Sequence, residues 1–568
     1  MKVNTRTIDR QIARSLEQAG LAPLLARLFA ARGVRSASAL NTGLNDLLKP
    51  DGLLGLDSAA EQLVGAIGAG QSLCVVGDYD CDGATATALM VSGLRRLGAR
   101  VDYMVPNRFT DGYGLTPGVV TAALQHPRLG KPDWLITVDN GIASVAGVQA
   151  ANEVGMAVIV TDHHLPGDTL PAAAAIVNPN QPGCQFASRN LAGVGVAFYV
   201  VAAVRARLRE TGALPAPPAL GDLLDLVALG TIADLVRLDD NNRRLVAAGL
   251  ARIKAGKARP GIAALCQIAG VVPHQLTVRD LGFALGPRIN AAGRLEDISI
   301  GIECLLAESL PAALPLAETL DSINRQRREI EADMRQAALD TITEPTPDQL
   351  SLVLHEPDWH EGVVGLVAGR VKERFHRPCF AFAVASGETA EPMLRGSGRS
   401  VTGVHLRDAL ALLDAREPGL IDRFGGHAMA AGLSMKASGL PAFRDGIEKA
   451  IAEIAAPGAL NPELLTDGPL KAEEMTLTTA RTLDQYVWGQ GFEAPMFCNE
   501  FRVVRQKVVG KGHLKLDLDF DGLPLPAIFF QRDEPLADRA RLAYSLQPNE
   551  YRGLTTLQLL IHAEAAPD

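Results

Sequence analysis

Three carboxylates at alternate positions follow a short apolar run near residue 75. They are Asp78, Asp80 and Asp82. Two unit charges 4 Å apart repel by about 4 kcal/mol at an effective dielectric of 20, so this loop needs protons or cations. The segment also matches the start of an EF-hand calcium loop, but that loop needs a glutamate where this chain has Leu89. The loop therefore predicts a different cation site, with a solvated acidic turn as the alternative.

Other residues that could bind a cation follow further apolar runs. Asp139 ends one run, His163 and His164 come directly after Asp162 at the end of another, and Asp234 ends an apolar helical stretch. Carboxylates combined with imidazoles suit Mn²⁺ and Mg²⁺. Two ions about 3.5–4 Å apart that share a carboxylate are typical of phosphoryl hydrolysis. Taken singly, each histidine could instead cap an element or pack in the core. Taken together, the residues predict a metal centre.

Short apolar runs alternate with helical stretches from about residue 58, and this alternation predicts how the polar residues come together. The predicted strands are 73–76, 101–105, 135–138, 158–161 and 176–177. Strands that alternate with helices form a parallel sheet with helices on both faces. Such a sheet binds ligands beyond the carboxyl ends of its strands. The residues at those strand ends should therefore meet in one crevice.

The remaining segments predict four further parts. Residues 8–48 have apolar residues at helical spacing, and 311–343 form a long polar helix that connects two domains. A second α/β unit is expected at about 350–455. From 460 to 568, several short strands, including the period-two alternation of 513–520, predict a small barrel or sandwich.

The composition excludes several classes of protein. The chain has 568 residues, of which 47% are hydrophobic, so it can bury large cores. Its formal charge of −9 argues against a coat-like nucleic-acid binder but allows a local basic groove. Seven cysteines without a CxxC pair argue against a disulfide framework and a zinc ribbon. The first residues lack the apolar core of a signal peptide, so we expect a cytoplasmic protein. Gly193-Val194-Gly195 lacks the third glycine of a dinucleotide fingerprint.

The motifs resemble those of a known superfamily. DYDCDG, VDNG and TDHH, with Asp234 downstream, are similar to the successive motifs of the DHH phosphoesterases. Further segments resemble the bacterial single-strand-specific exonucleases of that superfamily: NRFTDGYGL, GFALGPRINAAGR, HEGVVGLVAGR, RGSGRS and FGGHAMAAGL. The resemblance runs from about residue 50 to 435. It implies a single-stranded-DNA-specific 5′→3′ exonuclease that releases 5′ mononucleotides in DNA repair and recombination.

The resemblance also implies two ions, Mn²⁺ or Mg²⁺, that lower the pKa of an attacking water. The implied ligands of the first ion are Asp82, Asp139, His163 and Asp234. The implied ligands of the second are Asp78, Asp80 and the shared Asp139. His164 would touch the scissile phosphate and, with Asp82 and Asp139, form the catalytic group.

Two segments are locally basic despite the negative net charge. Residues 282–294 carry two arginines and residues 392–407 carry three, and neither segment contains an acid. Arginine forks match phosphate oxygens, and glycines let backbone N–H groups approach an anion. For each arginine, the alternative is a surface charge or an internal ion pair. Tyr113 could stack on a base or contact a lid. The expected substrate contacts are Arg108, Tyr113, Arg288, Asn290, Arg294, Arg395, Ser397, Arg399 and His427.

By resemblance, the β-rich segment is an oligonucleotide-binding fold, which uses a basic groove with aromatic platforms. Its basic residues are Arg502, Arg505, Lys507, Lys511, His513 and Lys515. Its candidate platforms are Phe497, Phe501 and Phe520, and burial in a stabilising core is the alternative for each. The GQGFEAP segment departs from the more glycine- and asparagine-rich motif expected there.

The predicted fold class is two α/β domains joined by a long helix, plus a C-terminal β-barrel of oligonucleotide-binding type. The expected segments are an N-terminal helical part at 1–50, a DHH catalytic domain at 51–308, a connecting helix at 309–345, a DHH-associated substrate-binding domain at 346–457 and the barrel at 458–568. The expected partner is single-stranded DNA, with a helicase and a single-strand-binding protein as partners implied by the resemblance. We expect a monomer with no membrane contact.

Two other functions fit parts of the pattern. A DHH phosphoesterase that acts on short oligoribonucleotides, a cyclic dinucleotide or pyrophosphate would keep the metal centre, but the length of this chain argues against it. A catalytically inactive DNA-binding scaffold would keep the fold, but the complete ligand set argues against that.

Overall fold

The chain forms two units in a computed structural model that describes residues 2–107, 111–342, 345–346, 348–385, 391–510, 512–551 and 553–566. The first unit comprises Met1–Gly293, Asp297–Asp321 and Leu464–Asp568. The second comprises Arg294–Glu296 and Ser322–Glu463. The predicted fold class, two α/β domains joined by a long helix and followed by a barrel, is confirmed.

The N-terminal segment begins with a short strand and two helices: β1 (Lys2–Thr5), α1 (Arg10–Gln18) and α2 (Pro23–Ala30). Asp9 caps α1, because its carboxylate accepts hydrogen bonds from two backbone N–H groups of the first turn. Leu16 of α1 and Phe29 of α2 are fully buried. These apolar side chains fix the helices against the rest of the first unit.

A parallel sheet forms the centre of the first unit, and its five strands match the predicted ones to within one residue at each end. The strand order is β3-β2-β4-β5-β6. Strand β3 lies on one side of β2, and β4 to β6 lie on the other, so the strand order reverses at β2. The crevice that binds ligands in such a sheet therefore lies between β2 and β4. The elements are α3 (Leu56–Gly68), β2 (Ser72–Val76), α4 (Cys81–Arg96), β3 (Arg100–Met104), α5 (Pro117–Ala123), β4 (Trp134–Val138), α6 (Val145–Glu153), β5 (Ala157–Thr161) and β6 (Ala175–Val177).

A group of helices follows the sheet. Helix α8 is apolar on nearly all sides, as expected for a helix that is buried between neighbours. It packs against α4, α7 and α9. The longest aliphatic run of the chain lies in α7, and most of that helix is buried. A π-helical turn, Leu281–Leu285, leads into α12. The helices are α7 (Gly193–Glu210), α8 (Leu224–Ala233), α9 (Asp240–Lys254), α10 (Pro260–Ala269), α11 (Val278–Asp280), α12 (Gly286–Leu295), α13 (Ser299–Leu306) and the long connecting helix α14 (Leu310–Thr341).

The second unit contains a mixed five-stranded sheet with the order β10-β11-β9-β8-β7. The glycine- and arginine-rich segment forms strand β9. Gly396 and Gly398 face strand β8, where a Cβ would lie 2.4 Å from a ring atom of Phe382 or 2.7 Å from one of Phe380. The elements are β7 (Leu352–His355), α15 (Val364–Phe375), β8 (Cys379–Val384), β9 (Met393–Arg399), α16 (Leu406–Arg416), β10 (Arg423–Gly426), β11 (Ala430–Lys436) and α17 (Leu440–Ile454).

The C-terminal segment closes into a barrel, which decides between the two architectures that the alternation allowed. The strand order around it is β13-β14-β15-β17-β16. A preceding strand pairs with β1 in a separate two-stranded sheet. The elements are β12 (Glu463–Thr466), α18 (Leu477–Leu483), β13 (Phe497–Val509), β14 (His513–Phe520), β15 (Leu523–Phe529), β16 (Arg539–Tyr551) and β17 (Leu554–Glu564).

The N-terminal helices pack on the side of the barrel. Phe29 stacks on Trp488 and Phe492 with ring centroids 5.5 and 6.2 Å apart. Arg32 forms a buried ion pair with Asp467, with Nη1 2.8 Å from Oδ1. The two ends of the described chain therefore share one core. Among the described helices, none combines the length and apolarity that a bilayer crossing requires.

Candidate metal centre

The acidic loop after β2 is held in place by the start of helix α4. Asp80 caps this helix, because its Oδ1 accepts a hydrogen bond from Gly83 N at 2.9 Å. Asp82 lies in the first helical turn and is 1% exposed. Gly83 has no room for a side chain, since a Cβ would lie 2.5 Å from Asp78 O. The loop therefore folds tightly, with its three carboxylates close together.

The N-terminus of α7 binds the carboxylate of Asp82. Gly193 N donates to its Oδ2 at 2.6 Å and Val194 N donates to its Oδ1 at 2.9 Å. Burial and the charge of Asp80 raise the pKa of Asp82 to about 7, and the two backbone hydrogen bonds oppose that rise. These N–H groups belong to the glycine pair that fails as a dinucleotide fingerprint. No sequence pattern indicates their role, because they lie 111 and 112 positions along the chain from Asp82.

His163 lies at the meeting point of three carboxylates. Its Nε2 is 3.0 Å from Asp139 Oδ1, 3.5 Å from Asp234 Oδ2 and 3.9 Å from Asp82 Oδ2. These four side chains come from α4, the end of β4, the end of β5 and the end of α8. They are the four residues that the sequence assigned to the first ion, and the structure brings them together.

The residues assigned to the second ion also converge. Asp78, Asp80 and Asp139 each place a carboxylate oxygen within 4.8 Å of the others. Burial and the neighbouring carboxylates raise the pKa of Asp139 and of Asp234 well above the usual range. Although His163 Nε2 lies 3.0 Å away, the buried Oδ1 of Asp139 accepts no hydrogen bond of suitable geometry from the described residues. Five carboxylates around one imidazole form a donor set that fits two divalent cations such as Mn²⁺ or Mg²⁺.

His164 is oriented by a buried carboxylate. Its Nδ1 lies 2.8 Å from Oδ1 of Asp162, which is 1% exposed. Asp162 also accepts hydrogen bonds from the backbone N–H groups of Ile142, His163 and His164. Burial lowers the pKa of His164, but the hydrogen bond and charge of Asp162 outweigh it and raise the pKa to about 9. Sequence reasoning assigned no role to Asp162, although it directly precedes the two histidines.

The predicted substrate contacts of the first unit have different surroundings. Tyr113 is 49% exposed and makes edge-to-face contacts with Tyr79 and His164, with ring centroids 5.9 and 6.1 Å away. It therefore lies beside His164, and its contact with substrate stays a prediction. Arg108 falls outside the described residues.

Two of the three predicted contacts on α12 make bonds within the first unit. Arg288 is 9% exposed, and its Nε and Nη2 lie 3.0 and 2.9 Å from Asp321 Oδ1. Asn290 Oδ1 accepts a hydrogen bond from Cys81 N at 2.8 Å, at the start of α4. For Arg288 this geometry favours the alternative of an internal ion pair, and for Asn290 it favours a supporting role. The expected contact of both side chains with substrate stays a prediction.

In the second unit, three predicted contacts alternate along one face of β9. Arg395 Nη1 lies 3.0 Å from Glu361 Oε2, and Arg399 Nη1 donates to Ser397 Oγ at 2.9 Å. The first turn of α15 lies against this row, because a Cβ on Gly365 would be 2.8 Å from Ser397 Oγ. Helix N-termini favour anions. The glycines of this strand pack on phenylalanine rings, which corrects the expectation that they open the backbone to an anion.

The other two predicted contacts of this unit lie on loops and helix ends. Arg294 Nη1 donates to Gly362 O at 3.3 Å. His427 is exposed in the turn between β10 and β11, and its backbone N donates to Ala430 O at 2.8 Å. His427 is thus accessible to a ligand.

The aromatic residues proposed as platforms on the barrel are largely buried. Phe497 is 0% and Phe501 is 1% exposed, and Phe520 packs against the same core. The alternative of stabilising core residues therefore holds for these side chains. Phe530 is instead 51% exposed and contacts His513 edge-to-face at 5.1 Å. Lys511 falls outside the described residues, whereas the other basic residues of the group lie on the barrel strands.

Three family models match consecutive parts of the chain. They are described as the DHH family, N-terminal domain, at residues 72–231, the DHHA1 domain at 349–453 and the RecJ OB domain at 466–563. Each match lies inside one of the segments expected from the sequence.

Curated relatives carry the description "Single-stranded-DNA-specific exonuclease RecJ". The protein of Salmonella typhimurium is 49% identical over 562 residues, which is 96% of each chain. The protein of Escherichia coli is 49% identical over 560 residues, again 96% of each chain.

Solved structures of RecJ from Thermus thermophilus have the same fold. The complex with Mn²⁺ matches with a TM-score of 0.83 at 30% identity, covering 100% of this chain and 79% of that one. The complex with Mg²⁺ matches with a TM-score of 0.77 at 28% identity, covering 100% and 78%. The metal ions in those two complexes agree with the donor set described above.

Proposed function

Because the chain belongs to the RecJ family of DHH phosphoesterases, we propose that the cluster around His163 is the centre at which it hydrolyses single-stranded DNA. The protein is a metal-dependent exonuclease that acts in DNA repair and recombination. One observation carries the assignment of the site: Asp82, Asp139 and Asp234 all place a carboxylate oxygen within 3.9 Å of His163 Nε2. Carboxylates crowded in this way stay ionised only when a cation compensates their charge.

The residues divide into two ligand sets. Asp82, Asp139, His163 and Asp234 hold one ion, and Asp78, Asp80 and the shared Asp139 hold the other. Two Mn²⁺ or Mg²⁺ ions, when bound, lower the pKa of the attacking water and neutralise charge that develops on the phosphate. The N-terminus of α7 orients Asp82, so this ligand keeps both oxygens in a fixed direction.

His164 is the group that contacts the scissile phosphate. Asp162 accepts a hydrogen bond from its Nδ1 and raises the pKa of the imidazole, which favours the form whose Nε2 donates to a phosphate oxygen. Tyr113 packs on this ring and is exposed enough to meet a base.

The direction of digestion, 5′→3′ with release of 5′ mononucleotides, depends on contacts with the strand. The row Arg395, Ser397 and Arg399 beside the N-terminus of α15 suits a phosphate group. The barrel, whose surface carries Lys507, His513 and Lys515, suits the backbone of a single strand. Arg294 and His427 remain further candidates for phosphate contacts.

The cellular setting follows from the substrate. A helicase that unwinds duplex DNA and a single-strand-binding protein are proposed partners, because the substrate must be made single-stranded. We propose a monomer in the cytoplasm, where DNA is accessible. The five-segment division of the chain, with limits at 50, 308, 345 and 457, is retained as a proposal that the family matches support.

The test uses one strand labelled at its 3′ end, alone and in a blunt duplex, with Mn²⁺ and the full chain. The expected result is a ladder that shortens from the 5′ side, on the single strand only. Asp82→Ala should abolish this cleavage and leave DNA binding largely unchanged, because the proposed phosphate contacts lie elsewhere. Asp225→Asn changes a buried carboxylate outside the centre and should leave cleavage intact.

Other outcomes would overturn parts of the proposal. Near-normal turnover by Asp82→Ala would remove the site assignment. Cleavage of pyrophosphate or a dinucleotide, with no cleavage of either DNA, would keep the centre but change the substrate class.

A further inference from the structure

The turn at residues 139–141 carries the carboxylate that both ligand sets share. Asp139 has a φ of 62°, a left-handed conformation that a residue with a Cβ adopts only when its surroundings enforce it. Gly141 follows with a φ of 112°, and a Cβ there would lie 2.4 Å from Thr137 Oγ1. The chain thus leaves β4 in a conformation that neighbouring groups must impose.

Asn140, in the middle of this turn, links β4 to β2. Its side chain is 0% exposed. Its Nδ2 donates to Val76 O at 3.1 Å and to Val138 O at 2.9 Å. The backbone pairing of these two strands ends at Val76 and Thr137. The amide therefore extends the connection between the strands beyond the end of their pairing.

The two sides of β4 are connected in different ways. Toward β5, the backbone N–H of Asp139 donates to Thr161 O at 3.1 Å. Toward β2, whose end leads into Asp78 and Asp80, the side-chain amide of Asn140 makes the connection. A substitution of Asn140 would therefore loosen only the β2 side.

We propose that Asn140 is a positioning residue that sets the distance between Asp139 and the acidic loop. It thereby controls the affinity of the ion held by Asp78, Asp80 and Asp139. The other ion shares Asp139 but depends on Asn140 less, because its three remaining ligands, Asp82, His163 and Asp234, lie in α4, after β5 and at the end of α8. This inference rests on the metal centre proposed above.

The test measures Mn²⁺ binding directly, from the electron paramagnetic resonance signal of the free ion during titration. Asn140→Ala removes both donated hydrogen bonds and keeps every proposed ligand. We expect one ion to bind about 10- to 100-fold more weakly, and the other to change much less. Asp78→Asn identifies the affected ion, because it removes a ligand of that ion only. The double variant should weaken this ion by less than the product of the single effects, since both changes act on one site.

Asn499→Ala is the matched control. Asn499 is also buried, and its Nδ2 donates to Leu470 O at 2.9 Å, but it lies in the barrel. This variant should melt at a lower temperature with unchanged Mn²⁺ binding. If Asn140→Ala does not fold, Asn140→Ser retains one donor and should give an intermediate loss of affinity.

Two results would overturn the inference: equal weakening of both ions in Asn140→Ala, or unchanged Mn²⁺ binding in the folded variant. Failure of the proposed function gives a different pattern. In that case Asp82→Ala would also bind Mn²⁺ normally, whereas normal binding by the Asn140 variants alone overturns only the positioning role.

Discussion

Replacing Asp234 with asparagine should stabilise the metal-free protein and weaken its response to Mn²⁺. Asp234 and Asp82 place carboxylate oxygens within 4.8 Å of each other. At an effective dielectric of 20, two charges at that separation repel by about 3.5 kcal/mol. The side chain of Asp234 is 20% exposed, so solvent reduces this repulsion. We expect the neutral variant to gain about 1–3 kcal/mol in the absence of metal.

The gain should depend on pH in a defined direction. Burial and the neighbouring carboxylates raise the pKa of Asp234 in the folded protein above its unfolded value. Below about pH 4 the group is protonated in both states, so it has no effect. As the pH rises, the unfolded state ionises first and the metal-free folded state loses stability until its own raised pKa is passed. The advantage of Asp234→Asn should therefore be absent at pH 4 and largest at pH 8.

In the presence of Mn²⁺, we expect the wild-type protein to be more stable than Asp234→Asn. A ligand at 100 times its dissociation constant stabilises the folded state by about 2.7 kcal/mol, and the variant loses a ligand and much of that effect. Thermal unfolding in EDTA and in Mn²⁺ measures both effects, with about 1–2 °C expected per kcal/mol for a unit of this size.

The control for this experiment lies on the same helix. Asp225 is 0% exposed and accepts hydrogen bonds from Arg259 N at 2.8 Å and Arg259 Nε at 3.1 Å. Asp225→Asn should therefore melt below wild type in both solutions. Melting of Asp234→Asn below wild type in EDTA at pH 8 would refute the repulsion argument, as would a gain that does not change with pH.

Four further substitutions test other parts of the structure. Gly193→Ala places a Cβ 2.6 Å from the Cβ and Oδ1 of Asp139, so Mn²⁺ affinity should fall at least about tenfold; unchanged affinity in a calorimetric titration would contradict this close approach. Phe29→Ala should cost about 3–5 kcal/mol in chemical unfolding, because the ring is fully buried, and should leave Mn²⁺ binding unchanged. Asp321→Asn and Arg288→Ala should each cost about 1–3 kcal/mol and leave affinity for single-stranded DNA unchanged; a loss of DNA affinity in Arg288→Ala alone would restore that arginine as a substrate contact.

The sheet and the metal centre were predictable because local patterns specify them. Buried parallel strands are short apolar runs, and their carboxyl ends face one crevice. That rule alone brings Asp82, Asp139 and His163 to one place. The pattern also offered Asp234 at the end of an apolar helical stretch. The rule for strand ends does not place it, however, and only the family resemblance assigned it to the first ion.

The partners of individual side chains were not predictable in the same way. Asp82 accepts from residues 111 and 112 positions away, and Arg288 pairs with a residue 33 positions away. Both contacts depend on how the helices pack against one another, and the periodicity of apolar residues does not specify that packing. The phenylalanines of β13 have the same type and spacing whether they face a ligand or a core. Only the closure of the barrel places Phe497 and Phe501 inside it.

The N-terminal helices can complete their contact with the barrel side only after the end of the chain has been synthesised. Arg32 and its partner Asp467 are 435 positions apart. At about 5–20 residues per second, a ribosome needs roughly 20–90 s to make the second after the first. During that interval Phe29 has no partner rings, so an apolar helix face stays exposed on the nascent chain. Holding this face away from other chains is therefore a task for a chaperone or for the folded sheet domain, and aggregation should increase when translation slows late in the message.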